Sequence, residues 1–332
     1  MKKILNDVDT IVQDMLQGFY FEHKHRVAYD AQHHIIYQKD LANANQDVAI
    51  ISGGGSGHEP DSFGYVGEGM LSLAVNGQIF VPPTPEQVLA AIRLVNKDKG
   101  ILLIIKNFQA DVENFLAAEA RAKTEGRQVD HVIVNDDVSI EDDASYNKRK
   151  RGVAGTVFVH KIVGAAAREG YSLQNLKAIG EAVVSNLHTL GVALTPAMNP
   201  TQSGVPFTLE DNEVYYGIGI HGEKGYRKEA FFSSEQLAIE LVNKLKSLYR
   251  WEEGDAFALM INGLGATPLM EQYIFANDIR RLCALENINV TFVKVGTQLT
   301  SLDMKGISLS FLKIDDPNWE KWLKAEGDAP HW

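Results

Sequence analysis

The chain has 332 residues, of which 45% are hydrophobic and 23% charged, with a formal net charge of -11. The composition is that of an ordinary globular protein, and at ~150 residues per domain the length implies two domains. The acidic balance excludes a general nucleic-acid surface, which would be basic. The single cysteine, Cys283, excludes an internal disulfide framework and any metal site built on several thiolates.

Residues 1–9 are not read as a signal peptide, because Asn6, Asp7 and Asp9 interrupt any apolar core. No apolar run approaches the ~20 residues of a membrane span. A reducing, cytoplasmic setting is therefore expected. A short apolar run at 48–51 reads as a strand that ends in a glycine-rich loop. Helical spacing over 84–95 follows a proline-rich turn. Residues 101–105 (Ile-Leu-Leu-Ile-Ile) form a continuous apolar run suited to a strand buried on both faces. A helix is expected to about residue 123, then a strand at 132–134. This alternation implies βαβ units and a largely parallel sheet in the N-terminal domain, with ligands collecting beyond the carboxyl ends of its strands. A helical stretch from 153 to 187 is interrupted near Gly170. A loop rich in Pro, Asn, Thr and Ser at 195–206 is taken as the hinge between domains. Beyond it come a strand at 214–220, a helix at 234–249, a strand at 256–261, and a helix starting at Thr267 as cap with Pro268 in its first position. The helical run 277–285 holds Cys283. The expected fold is two α/β domains, residues 1–190 with the glycine loop and residues 191–332.

Two stretches carry the chemistry: Ser52-Gly53-Gly54-Gly55-Ser56-Gly57-His58-Glu59-Pro60 and Gly217-Ile218-Gly219-Ile220-His221-Gly222-Glu223. Each sets a histidine in a glycine-rich loop after a strand-like run. Glycine permits close backbone approach, and neutral imidazole serves as base or nucleophile. The first loop is not a nucleotide site. A Walker loop requires Gly-Lys-Ser/Thr, and a dinucleotide loop requires a third glycine where His58 stands. A backbone cradle for a small polar ligand remains. Asp111 opens the helix after the 101–105 strand, either as its N-cap or as a general base towards a hydroxyl. Lys106, at the strand end, either neutralises an anion or reaches solvent. The basic run Lys148-Arg149-Lys150-Arg151 is either a solvated loop or a docking patch for an acidic partner or a phosphate. The turn 262–268 is assigned no chemistry.

The runs 52–60, 64–71, 102–107, 151–156, 217–223, 263–269 and 300–304 together resemble the dihydroxyacetone-binding K subunit of bacterial dihydroxyacetone kinases. The resemblance covers almost the whole chain and implies a two-domain α/β homodimer that binds dihydroxyacetone without cofactor or metal. It also implies that His221 adds to the ligand carbonyl as a covalent hemiaminal. His58 would then bond the ligand and assist proton transfer, Asp111 would act as base towards the phosphorylated hydroxyl, and Gly55 and Lys106 would contact the ligand. Phosphate in that family arrives from a separate L subunit. Hemiaminal capture requires a carbonyl and so excludes glycerol, which hydrogen bonds alone would discriminate poorly.

The chain also departs from the family pattern. Pro82 stands where the kinases usually place a serine. Phe108-Gln109-Ala110 precedes Asp111 in place of Tyr-Thr-Gly. Asp61-Ser62-Phe63 follows Pro60 where a histidine is often found, and Arg149-Lys150-Arg151-Gly152 replaces Gly-Arg-Arg-Gly. A lost hydrogen bond costs ~1–3 kcal/mol, whereas misplacing a phosphoryl acceptor by ~1 Å costs about a hundredfold. Binding tolerates such changes better than transfer does. The expected function is that of the family's coactivator paralogue, which binds dihydroxyacetone and works with a TetR-type transcription factor without touching nucleic acid. The alternative is an active K subunit, with an L subunit as partner.

Overall fold

The computed structural model describes residues 2–41, 46–139, 150–202, 204–249, 252 and 254–332. It contains two six-stranded sheets. The first takes β1 (Val27–Asp30), β2 (Ile35–Gln38), β3 (Val48–Ser56), β4 (Leu73–Ile79), β5 (Gly100–Lys106) and β6 (Val129–Val134) in the order β1-β2-β4-β3-β5-β6. Strands β4, β3, β5 and β6 run parallel. The parallel expectation holds for these four only. β1 pairs antiparallel with β2, and β2 antiparallel with β4.

The second sheet takes β7 (Leu187–Ala193), β8 (Glu213–Tyr216), β9 (Arg227–Ala230), β10 (Ala256–Gly263), β11 (Asn289–Gly296) and β12 (Gly306–Lys313) in the order β11-β10-β12-β7-β8-β9. Only β10 and β11 are parallel neighbours. The 195–206 loop joins β7 to β8, which are adjacent antiparallel strands. It is thus an excursion within one sheet rather than the expected hinge. Residue 190, the expected change of unit, lies inside β7.

The alternation of β5 explains the layering. Ile101, Leu103 and Ile105 pack with Val88, Leu89 and Ile92 of α2 (Pro85–Leu94) and Phe115 and Ala118 of α3 (Gln109–Thr124). Leu102 and Ile104 face the other way, towards Val159 and Val163 of α4 (Thr156–Arg168) and Leu176 and Val183 of α5 (Leu173–Ser185). A strand with helices on both faces has no polar side, which is why it reads as an unbroken apolar run. Ala258 and Met260 of β10 join that middle core. Phe257, Leu259 and Ile261 pack instead with Leu241 of α6 (Ser234–Lys246) and Phe275 and Ile279 of α7 (Leu269–Leu285). Helix α4, buried from Thr156 to Ala167, therefore lies between the two sheets. Helix α1 (Ile11–His23) and α8 (Pro317–Lys324) share its layer through Val12, Leu16, Trp319 and Trp322.

One cap differs from expectation. Thr267 does not cap α7: its hydroxyl bonds the carbonyl of Gly306 and accepts from the Gly306 amide at 2.8 Å, while Pro268 is the cap residue. Cys283 is buried within α7.

Candidate functional site

Parallel pairing of β4, β3 and β5 carries three loops to the same end of the first sheet. Beyond β4 stands Phe80, beyond β3 stands His58, and Lys106 ends β5 with Asp111 in the first turn of α3. From the second sheet, the turn after β8 brings His221 and the loop after β11 brings Thr300. His58 and His221 meet with ring centroids 4.8 Å apart. Phe80 stacks on His58 at 5.1 Å and meets His221 edge-on at 5.5 Å, and Phe108 packs against the same imidazole at 4.7 Å.

Each imidazole is held through Nδ1. That of His58 bonds the carbonyl of Thr300 at 2.7 Å. A carbonyl only accepts, so Nδ1 carries the hydrogen and Nε2 keeps the lone pair. This Nε2 is buried without a partner. The Nδ1 of His221 bonds the Glu223 carboxylate at 2.8 Å, so in the neutral imidazole the hydrogen sits on Nδ1 and the lone pair on Nε2. The other oxygen of Glu223 accepts from the His221 amide at 3.0 Å, and Arg151 stands 4.0 Å away. A Cβ on Gly219 would collide with that carboxylate and with the Arg151 guanidinium, so any larger residue there would displace the groups that hold His221.

Burial controls the charges. It is the main cause that pushes His58 down to about 3, with the neighbouring His221 charge second, so the imidazole is neutral at physiological pH. Burial also pushes Asp111 up to about 6, against the opposing pull of Lys106 and His221. Asp111 is buried and its Oδ1 has no partner. Burial works against ionisation of Glu223, but the His221 hydrogen bond and the His221 and Arg151 charges outweigh it and hold that carboxyl at about 2.

Of the residues singled out in the sequence, His58, His221, Asp111, Lys106 and Gly55 all lie at this end of β3 and β5. Gly55 packs against the loop bearing Phe80, where a Cβ would stand 2.7 Å from the Val81 nitrogen. Three details differ from expectation. The cap residue of α3 is Phe108, so Asp111 lies inside the first turn and makes no capping bond. Lys106 is buried rather than solvated: its Nζ bonds Asp61 Oδ2 at 2.6 Å and the Gly53 carbonyl at 3.0 Å. Of the basic run, Lys148 and Arg149 lie outside the described residues. Arg151 is buried, with Nε on Asp137 at 2.6 Å and NH2 on Ser139 Oγ at 2.7 Å and the Gly217 carbonyl at 2.9 Å. It braces the His221 turn and presents no charge for docking.

The roles of Glu223, Thr300, Phe80 and Phe108 escaped the sequence reading. Glu223 carried a signal, a carboxylate two residues after a histidine in a tight glycine turn. Thr300 carried none, because it acts through its backbone.

Residues 17–331 match the Dak1 domain, and the chain belongs to that family. It is 45% identical to the "PTS-dependent dihydroxyacetone kinase, dihydroxyacetone-binding subunit DhaK" of Lactococcus lactis subsp. lactis, over all of this chain and 99% of that one. It is also 45% identical to the "DhaKLM operon coactivator DhaQ" of the same organism, over 99% of this chain and all of that one. Among solved structures, the "Dihydroxyacetone kinase operon co-activator Dha-DhaQ" superposes with a TM-score of 0.91 at 45% identity, covering 96% of this chain and 98% of its own. Among the described residues no helix is long and apolar enough to cross a membrane.

Proposed function

We propose that this chain captures dihydroxyacetone covalently on His221 and serves, as a cytoplasmic homodimer, as the ligand-sensing coactivator of a TetR-type transcription factor. The observation that carries the reading is the pairing of the two imidazoles. Both hold their Nδ1 hydrogen on a fixed acceptor, and they meet ring to ring beside the Asp111 carboxyl. In the capture step Nε2 of His221 adds to the carbonyl carbon and the C=O π pair moves to oxygen. That oxygen takes up a proton from water, Nδ1 releases one to Glu223, and Glu223 returns it to water, so no proton is gained or lost overall and the adduct is neutral. His58, neutral and unpaired at Nε2, bonds the ligand and assists the proton's movement. Gly55 lets the loop approach the ligand closely.

The coactivator reading draws support from the replacements at Pro82, Phe108 and Ala110, and from the similarity to DhaQ. Phe108 lies against the capturing imidazole with no hydroxyl to offer. A second reading, the phosphoryl-accepting K subunit, is favoured by Asp111, whose carboxyl, at about 6 with Oδ1 unpaired, suits a base. The equal similarity to DhaK also favours it. One assay separates them: the purified chain with dihydroxyacetone, a kinase L subunit and its phosphate donor. The coactivator gives no turnover and instead binds its transcription factor more tightly when the ligand is present. A ligand shifts such an equilibrium only by its differential affinity for the two states. Turnover at the rate of a true K subunit would establish the kinase.

A further inference from the structure

Lys106 lies beside the ligand cradle, yet all three of its protons are committed. An ammonium donates three hydrogen bonds and accepts none. Those of Lys106 point to Asp61 Oδ2 at 2.6 Å, the Gly53 carbonyl at 3.0 Å and Ser62 Oγ at 3.5 Å. Asp61 and Lys106 are both buried, so water screens their charges little. The other oxygen of Asp61 has no hydrogen-bond partner and faces Nδ1 of His160 at 3.8 Å. Burial is the main cause that pushes His160, on α4, down to about 4, so no second cation offsets Asp61 there. His58 approaches from β3 and Tyr65 from the following turn, both neutral. Arg151 is spent on Asp137, Ser139 and Gly217. Among the described residues the cradle is thus left facing the Asp111 carboxyl without a free cation. A Cβ placed on Gly54 would stand 3.4 Å from Lys106 Nζ and 3.6 Å from Asp111 Oδ1, so the ion pair lies directly beside the ligand-facing acid.

We propose that Asp61 is a specificity-determining residue, which neutralises Lys106 from behind the glycine loop and so admits a neutral triose while barring its phosphate ester. The inference rests on the reading of the cradle as a dihydroxyacetone site. An ester carrying about -1.5 to -2 charge at neutral pH finds, among the described residues, no free donor cation and the Asp111 carboxyl ahead of it. A neutral ketone pays no such penalty. Asp61 is also one of the positions where the chain departs from the run that usually follows the His-Glu-Pro motif.

The test is the ratio of affinities for dihydroxyacetone and dihydroxyacetone phosphate, measured by calorimetry in the wild type and in Asp61→Asn. Asparagine retains an oxygen for Lys106 to bond but leaves the ammonium charge uncompensated. The expected outcome is that the gap between ketone and ester narrows by roughly tenfold or more. A purely structural loss would weaken both ligands together and leave the ratio unchanged. An unchanged ratio in the folded variant would mean that shape excludes the ester, and would overturn the proposal. If the asparagine variant does not fold, Asp61→Ser carries the same expectation. If the wild type binds no dihydroxyacetone, the functional reading fails by itself. Inorganic phosphate then still tests the charge assignment, since Asp61→Asn should bind it more tightly than the wild type, and equal binding overturns the assignment.

Discussion

His58 and Thr300, 242 residues apart, hold each other by two hydrogen bonds: the Thr300 amide donates to the His58 carbonyl at 3.1 Å, and Nδ1 of His58 donates to the Thr300 carbonyl at 2.7 Å. One residue follows a strand of the first sheet and the other a strand of the second. The tautomer of His58 is therefore set by the packing of the two sheets against each other, and the ring cannot turn without breaking that contact.

The covalent adduct should form on His221. With dihydroxyacetone labelled with 13C at its carbonyl, the ketone resonance should give way to that of a tetrahedral carbon in the wild type. In His221→Ala it should stay where it is in free ligand. A tetrahedral signal of equal strength in the variant would place the adduct elsewhere.

Selectivity should follow the carbonyl. A ligand that binds only the folded state raises its apparent stability by mass action. Dihydroxyacetone should raise the melting temperature, and glycerol at the same concentration should raise it little. Equal shifts would mean that hydrogen bonds, not a covalent step, carry the binding.

Glu223 orients His221 and accepts its proton as the adduct forms. Glu223→Gln keeps an oxygen for Nδ1 but removes the charge, and charge-assisted hydrogen bonds are about twice as strong as neutral ones. Affinity for dihydroxyacetone should fall by about tenfold, with the chain still folded. Unaltered affinity would show that the nucleophile needs no carboxylate.

Asp111 offers a pH test. Its folded value, about 6, lies above the ordinary aspartate value of 3.8, so ionising it opposes folding. The group's stabilising effect is complete below about 4 and is lost as pH rises through about 6. Asp111→Asn removes this penalty. The variant should therefore melt higher than wild type at pH 8, by at most about 3 kcal/mol of stability, with the advantage vanishing near pH 4. An advantage independent of pH would contradict the assignment.

The βαβ rhythm, the doubly covered strand β5 and both histidine loops are legible in the chain because they rest on local rules: hydrophobic periodicity, glycine-rich turns and strand-end placement. The same rules placed Asp111 and Lys106 at one mouth. What they could not supply is which partner each group meets. Lys106 became a buried ion pair with Asp61, Arg151 became a brace for the His221 turn, and the carbonyl of Thr300 chose the tautomer of His58. The antiparallel edge of the first sheet and the path of the 195–206 loop within the second were equally hidden. Strand partners, buried charge pairs and backbone acceptors all depend on residues far apart in sequence. Desolvation makes their pairing decisive only once the two sheets have closed around them.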